Sequence, residues 1–179
     1  MKTLFISLCI LCSCVLVSAQ VKESGLFVEL NVGYGHVNNY YDKCSGYVFL
    51  SPTLGYQFSS RWVAGLKTRF ELAADKYKSI GLYGQYAFWQ KNRVKLFGEA
   101  LASVAIQSGL DGKNNNYNEA GLSLGASYSL GRRCSLLLRY FYVGYNDGQH
   151  DSDVFFFREG KFVTDGSLRR LQLGVQWIF

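Results

Sequence analysis

Most of this chain consists of segments in which apolar and polar side chains alternate with a period of two residues. Successive side chains of a β-strand point to opposite sides, so this period predicts strands that each carry one apolar and one polar face. Most of the segments match the roughly 9–11 residues that a tilted strand needs to cross a bilayer. Eight such segments are present, at residues 26–35, 47–58, 62–72, 79–88, 94–106, 120–130, 136–143 and 170–179.

The charges of these segments lie almost entirely on the polar face. The charged residues of that face are Glu29, Lys67, Arg69, Glu71, Lys95, Glu99, Arg139 and Arg170. In a soluble sandwich or lipocalin-like barrel the apolar face points inward and strand charges lie outside. Charges mixed with glycine and serine instead suit a narrow lumen, with the apolar face toward lipid. The pattern therefore favours a membrane barrel over a secreted soluble β-protein.

The connections between the segments alternate in length. Residues 59–61, 90–92 and 131–133 are predicted short turns, whereas the other connections are longer. The connections 37–46, 107–118 and 146–166 are long and polar, and 73–78 is of modest length. This alternation is typical of short periplasmic turns and longer outer loops, and an even strand number then places both termini in the periplasm.

Aromatic residues mark both ends of the apolar face, as expected of the two interfacial girdles of a membrane barrel. Near the short turns they are Tyr56, Phe58, Trp62, Phe88, Trp89, Tyr128, Trp177 and Phe179. Nearer the long loops they are Tyr34, Phe70 and Tyr142. Pro52 lies on the apolar face of the second segment and has no N–H for a strand ladder, so we expect a β-bulge there.

The first twenty residues predict export. Lys2 supplies a positive start, residues 4–17 form an uncharged apolar stretch, and Val17-Ser18-Ala19 fits a small-residue cleavage site. We therefore predict a signal peptide at residues 1–19 and a barrel domain at 20–179. A retained membrane anchor and lipoprotein processing at Cys14 are the alternatives.

Cysteine content and charge argue against several other classes of protein. The predicted mature chain keeps Cys44 and Cys134, which the barrel places at opposite ends and which cannot form a disulfide-dense scaffold. No CxxC or HExxH spacing is present in it, so we predict no metal site and no cofactor. The sequence pI is about 9.1, but the basic residues are scattered along the chain, which disfavours nucleic-acid binding.

The end of the chain carries a resemblance to known proteins. Leu171, Leu173, Val175, Trp177 and Phe179 alternate down to the last residue. This pattern resembles the C-terminal signal of outer-membrane proteins that the barrel-assembly machinery reads. The predicted mature chain as a whole resembles the small outer-membrane β-barrel families of the OmpA-domain, OmpX and opacity-protein type. The resemblance implies an eight-stranded antiparallel up-and-down transmembrane β-barrel in a Gram-negative outer membrane, in contact with lipid and lipopolysaccharide.

The inward charges are expected to neutralise one another. Counted from the short turns, Glu29, Lys67, Glu99 and Arg139 fall at similar depths, and Glu71 and Arg170 fall together higher up. Unpaired buried charges cost several kcal/mol, so a network that fills the lumen is predicted. A small-molecule channel is the alternative function.

Catalysis is the second alternative. The mature chain has two histidines, His36 and His150, and His150-Asp151-Ser152 resembles the His-x-Ser spacing of lipid A deacylases. A three-residue match arises easily by chance, so we predict no catalytic residues and no enzyme activity.

The last long connection has the most distinctive loop sequence. Residues 154–164 predict a hairpin that turns near Glu159-Gly160 and carries phenylalanines able to bind lipopolysaccharide or an extracellular ligand. These phenylalanines are Phe155, Phe156, Phe157 and Phe162. The leading prediction is therefore a structural, surface-interacting barrel with an adhesion-like role.

Overall fold

The computed structural model describes residues 23–39, 43–72, 77–108, 114–146, 162–165 and 171–179. The strands in these ranges are β1 (Gly25–Asn39), β2 (Lys43–Gln57), β3 (Trp62–Glu71), β4 (Tyr77–Lys91), β5 (Val94–Ser108), β6 (Asn114–Ser129), β7 (Cys134–Asn146), β8 (Phe162–Asp165) and β9 (Gln172–Ile178). Within the same ranges, no helix is long and apolar enough to cross a membrane.

The strands form one closed antiparallel barrel. Each strand from β1 to β7 pairs with the next, and β9 pairs with both β7 and β1 to close the circle. The short strands β8 and β9 together take the place of the eighth strand. β9 pairs with Cys134–Arg139 of β7, and β8 pairs with Tyr142–Tyr145 of the same strand. The predicted eight-stranded up-and-down fold is confirmed.

Several strands are longer than the alternating segments that predicted them. β1 and β2 remain paired up to Asn39 and Lys43, inside the connection predicted at 37–46, and β5 and β6 remain paired up to Ser108 and Asn114. Apolar alternation stops where an apolar exterior is no longer needed, whereas backbone hydrogen bonds can extend a hairpin beyond that point. The alternation therefore underestimates the length of these strands at the long-loop end.

Most side chains point to the face that the alternation predicts. Leu82, Leu122 and Leu173 are 67%, 62% and 59% exposed on the outer wall, whereas Lys67 and Glu99 are buried in the interior. Two apolar clusters also lie inside the barrel. They are Phe27, Val63, Tyr83, Leu101 and Ile178, and Ala87, Phe97 and Leu137.

The bulge expected at Pro52 is wrong. The register between β2 and β3 is the same on both sides of Pro52, because Leu50 pairs with Phe70 and Thr53 with Lys67. Side chains replace the ladder bonds that a proline interrupts. The Ser51 hydroxyl donates to the Thr68 carbonyl at 2.7 Å, and the Thr68 hydroxyl donates to the Pro52 carbonyl at 3.0 Å.

A register shift instead occurs in β7, and it reverses one predicted orientation. Leu124 of β6 pairs with Phe141, but the next residue, Gly125, pairs with Arg139, so Tyr140 is the extra residue of a bulge. An extra residue moves every later side chain to the opposite face. Tyr142 is therefore buried in the lumen, and its predicted place in the outer aromatic girdle is wrong. A second shift lies between Ala87 and Trp89.

Candidate functional site in the barrel lumen

One carboxylate in the middle of the lumen holds two cations. The Arg139 Nε donates to Glu99 Oε2 at 2.7 Å, and the Lys67 ammonium donates to Oε1 of the same group. All three side chains are at most 3% exposed. They project from β3, β5 and β7, so this contact joins three walls of the barrel across its interior.

Arg139 extends the same network to β1. Its Nη2 lies 2.8 Å from Glu29 Oε1, and its Nη1 donates to Asn31 Oδ1 at 2.7 Å. The Asn31 amide in turn donates to Glu29 Oε1 at 2.7 Å. We call Glu29, Asn31, Lys67, Glu99 and Arg139 the central network. Two cations and two carboxylates cancel within it, which is the condition under which buried charges are tolerated.

Aromatic rings of the apolar clusters support the two cations. The Lys67 Nζ lies 4.6 Å from the centroid of the Tyr83 ring, and the Arg139 Cζ lies 5.5 Å from that of Phe97. Such cation–π contacts gain strength where water is excluded. A Cβ on Gly125 would lie 2.5 Å from Phe97 Cζ, so the glycine makes room for this ring. The network and the apolar clusters are thus packed as one interior.

A second ion pair lies nearer the long loops, and the sequence prediction missed half of it. Arg69 Nη1 lies 3.6 Å from Glu119 Oε1, to which the Tyr142 hydroxyl also donates at 2.8 Å. The Tyr142 ring lies against Gly121 and Gly144, where a Cβ would overlap it. Extending the sixth alternating segment by one residue would have found Glu119, whereas Tyr142 depends on the bulge in β7.

Among the described residues, two further predicted lumenal charges, Lys95 and Glu71, lie apart from these pairs. Lys95 lies near the short-turn end, where its Nζ donates to the Ser60 carbonyl at 2.9 Å. Glu71 is half-buried at the end of β3, opposite Phe49 of β2. Arg170 lies outside the described residues, so its pairing with Glu71 remains a prediction.

The described part of the lumen is filled by side chains. A cavity of about 20 Å³ remains between Arg69, Glu99 and Tyr142, which is room for roughly one water molecule. An eight-stranded barrel is just wide enough for its own side chains, so a continuous water path would require the central network to move. The described residues contain no group of histidine, cysteine, aspartate and glutamate side chains able to hold a metal ion.

We expect the purified protein to show no large, stable conductance steps in planar bilayers, because the central network and the ring of Phe97 occupy the lumen. Single-channel recording over a range of voltages measures this directly. Bilayers that receive detergent alone provide the baseline. Reproducible steps that scale with the amount of protein would contradict a filled lumen and would support the channel alternative.

Most residues of the catalytic alternative lie outside the part of the chain that the structure describes. His36 lies in β1 opposite Gly46 of β2, and residues 150–152, which carry His150 and Ser152, lie outside the described residues. The predicted phenylalanine hairpin is described only from Phe162 onward. Phe162 is 68% exposed, and its ring centroid lies 5.3 Å from that of Tyr145.

The C-terminal pattern and the two cysteines have defined positions in the barrel. Leu173, Val175 and Phe179 are exposed on the outer wall, and Leu171 and Trp177 are half-buried. Their role in assembly remains a prediction. Cys44 pairs in register with Asn38 at the long-loop end, whereas the buried Cys134 begins β7 at the short-turn end.

No family model and no curated protein matches the chain, whereas several solved structures do. The N-terminal β-barrel domain of Pseudomonas aeruginosa OprF superposes with a TM-score of 0.60 at 10% identity. Neisserial surface protein A superposes with a TM-score of 0.59 at 15% identity. Each match covers 88% of this chain and 100% of the other. This chain therefore has the fold of the small eight-stranded outer-membrane β-barrels.

Proposed function

We propose that the protein is an integral outer-membrane barrel whose function is structural and surface-interacting. One contrast carries the proposal: the outer wall exposes leucines that a soluble protein would bury, while the interior buries a neutral network of charges. A wall of this kind is stable in lipid, where the antiparallel barrel also pairs its backbone groups. The filled interior supports a structural role rather than transport.

The same contrast supports an orientation. Outward-facing Phe58, Trp62, Phe88 and Tyr128 lie beside the short turns, as expected of one aromatic girdle. In our proposal the short turns and both termini face the periplasm and residues 1–19 are removed on export. The extended hairpins of β1–β2 and β5–β6 then project outward with the long loops, where they are available to lipopolysaccharide or an extracellular ligand.

Insertion of one protease-recognition sequence at two matched positions tests the location and the orientation. We expect an insertion between Leu110 and Asp111, in the long connection after β5, to be cleaved when protease is added to intact cells. The same insertion between Gly131 and Arg132, in a short turn, should be cleaved only after the outer membrane is opened.

Fractionation and gel migration complete this test. The protein should sediment with the outer membrane and migrate differently with and without heating, as a folded barrel does in detergent. Cleavage at residue 131 on intact cells would reverse the orientation. Recovery of the protein in the soluble periplasmic fraction would overturn the proposal.

The adhesion-like role has a separate test in the phenylalanine-rich loop. Replacing Phe155, Phe156 and Phe157 by serine should reduce attachment of expressing bacteria to a cultured epithelial monolayer, because aromatic residues are among the strongest contributors to binding where they meet a partner. The matched control replaces Asn114, Asn115 and Asn116 by serine. Equal attachment by both variants and the wild type would remove this loop from the proposed role.

A further inference from the structure

Topology gathers basic residues that are scattered in the sequence. Arg61 lies in the turn after β2, Lys91 and Arg93 lie at the turn after β4, and Arg132 and Arg133 lie in the turn after β6. All five are exposed, and the ranges 58–61, 90–93 and 130–133 contain no aspartate or glutamate. We call these five residues the basic turn ring.

Three arginines of this ring occupy equivalent positions. Arg61, Arg93 and Arg133 each immediately precede an ascending strand, namely β3, β5 and β7. The carbonyl of each accepts a hydrogen bond from the neighbouring strand, at 2.9 Å from Ala87 and at 2.8 Å from Ser129 and Ile178. Their backbones are therefore fixed on the last rung of the barrel, at one level around its rim.

This level lies just beyond the outward aromatic side chains. Trp62 follows Arg61 directly, Trp89 is two residues before Lys91, and Tyr128 pairs in register with Val94, next to Arg93. The three aromatic side chains are exposed on the wall. Tryptophan and tyrosine at such positions mark the headgroup level of a bilayer. The basic turn ring consequently lies where lipid phosphates are.

The opposite end of the barrel has a different charge balance. The connections at that end, residues 40–42, 72–76, 109–113 and 147–171, carry eight acidic and six basic residues. Positive charge is therefore concentrated at the short-turn end and does not simply follow from a high overall pI.

We propose that the basic turn ring binds the headgroups of anionic glycerophospholipids in the leaflet that surrounds the short turns. Guanidinium groups match phosphate oxygens in a bidentate geometry, and basic side chains at a membrane surface attract anionic lipid. A set of cations distributed over three turns of the rim suits a ring of small ligands better than one folded partner. The inference rests on the proposed membrane location, without which no leaflet would surround these turns.

Lipid retention in the gas phase tests this inference on the intact barrel. The protein is purified in dodecyl maltoside containing equimolar phosphatidylglycerol and phosphatidylcholine with identical acyl chains, and native mass spectrometry counts the lipids that remain bound. We expect the wild type to retain phosphatidylglycerol over phosphatidylcholine by about tenfold. Replacement of Arg61, Lys91, Arg93, Arg132 and Arg133 by glutamine should bring the ratio close to one.

The matched control removes the same charge from the other end. It replaces five lysines in or beside the connections of the long-loop end by glutamine and should keep the wild-type ratio. These lysines are Lys43, Lys76, Lys78, Lys113 and Lys161. Equal loss of preference in both variants would show that net charge alone is responsible and would overturn the proposal, as would a ratio near one in the wild type.

Wild-type measurements keep the test decisive if the five-residue variant does not fold. The wild type is also exposed to about 0.5 M salt while it is still in detergent. The Debye length is then only a few ångströms, so most of the preference for phosphatidylglycerol should be lost. Inorganic phosphate should not displace the lipid at equal ionic strength, and displacement by it would assign the ring to free anions. Failure of the wild type to insert into phosphatidylcholine vesicles would refute the membrane location, whereas insertion without a preference would refute this inference alone.

Discussion

Replacement of Glu99 by glutamine is expected to lower the free energy of unfolding by about 3–5 kcal/mol, the usual cost of removing one partner of a buried ion pair. The glutamine keeps the shape of the side chain, so the loss isolates the charge. Lys67 and Arg139 would then share the lumen with Glu29 as the remaining carboxylate of the central network. Both cations are at most 2% exposed, so water cannot replace the missing charge.

Urea unfolding of the barrel in phosphatidylcholine vesicles measures this loss. Trp62, Trp89 and Trp177 lie on the outer wall near the short turns, so their fluorescence reports the transfer of the wall from lipid to water. The control, Glu23 to glutamine, removes the same charge from an exposed residue ahead of β1 and should change stability by less than about 0.5 kcal/mol. A loss below about 1 kcal/mol for the Glu99 variant would mean that the network does not stabilise the barrel.

A compensated double variant separates charge imbalance from packing. The double variant carries Lys67→Met together with Glu99→Gln. Arg139 then stays paired with Glu29, so the central network is neutral again. We expect at least about half of the lost stability to return, since an apolar group of similar size tolerates burial better than an unpaired ammonium. If the double variant is as unstable as the sum of the two single changes, the loss comes from packing and hydrogen bonds.

Alternation was sufficient to predict the barrel and the orientation of most of its side chains, because a period of two is set by strand geometry alone. It was insufficient at Tyr142, where the extra residue Tyr140 reverses the faces of β7. Bulges depend on how two strands fit together, and a single strand's sequence does not record this. The same limit explains Pro52, whose missing donor is compensated by Ser51 and Thr68 rather than by a bulge.

The composition of the lumen could be predicted more fully than its contacts. The alternation within each segment identified Glu29, Lys67, Glu99 and Arg139 as inward residues. Which of their atoms form contacts depends on the stagger between neighbouring strands. Glu119 was missed because the sixth segment was ended where apolar residues stop. The basic turn ring could not be predicted from the sequence, because its members are far apart along the chain. Only the closure of the barrel brings them to one rim.

Replacement of Leu82 by arginine is expected to cost about 2–4 kcal/mol, which is the penalty for this residue near the middle of a lipid-facing barrel wall. Leu82 is the most suitable position because it lies midway along β4, opposite Leu66 and Ala102, and is 67% exposed. On the surface of a soluble protein, such a substitution would change stability by less than about 0.5 kcal/mol. The size of the loss therefore distinguishes a lipid-facing wall from a water-exposed one.

Leu72 provides the matched control, since it is 60% exposed just after the end of β3, next to the long connection. Its replacement by arginine should cost about 0–1 kcal/mol, because side chains near the interface reach water. Urea unfolding of both variants in the same phosphatidylcholine vesicles gives the comparison. Equal effects at positions 72 and 82 would show that the leucine-rich wall does not face lipid, and a structural role in a membrane would then be excluded whatever fills the lumen.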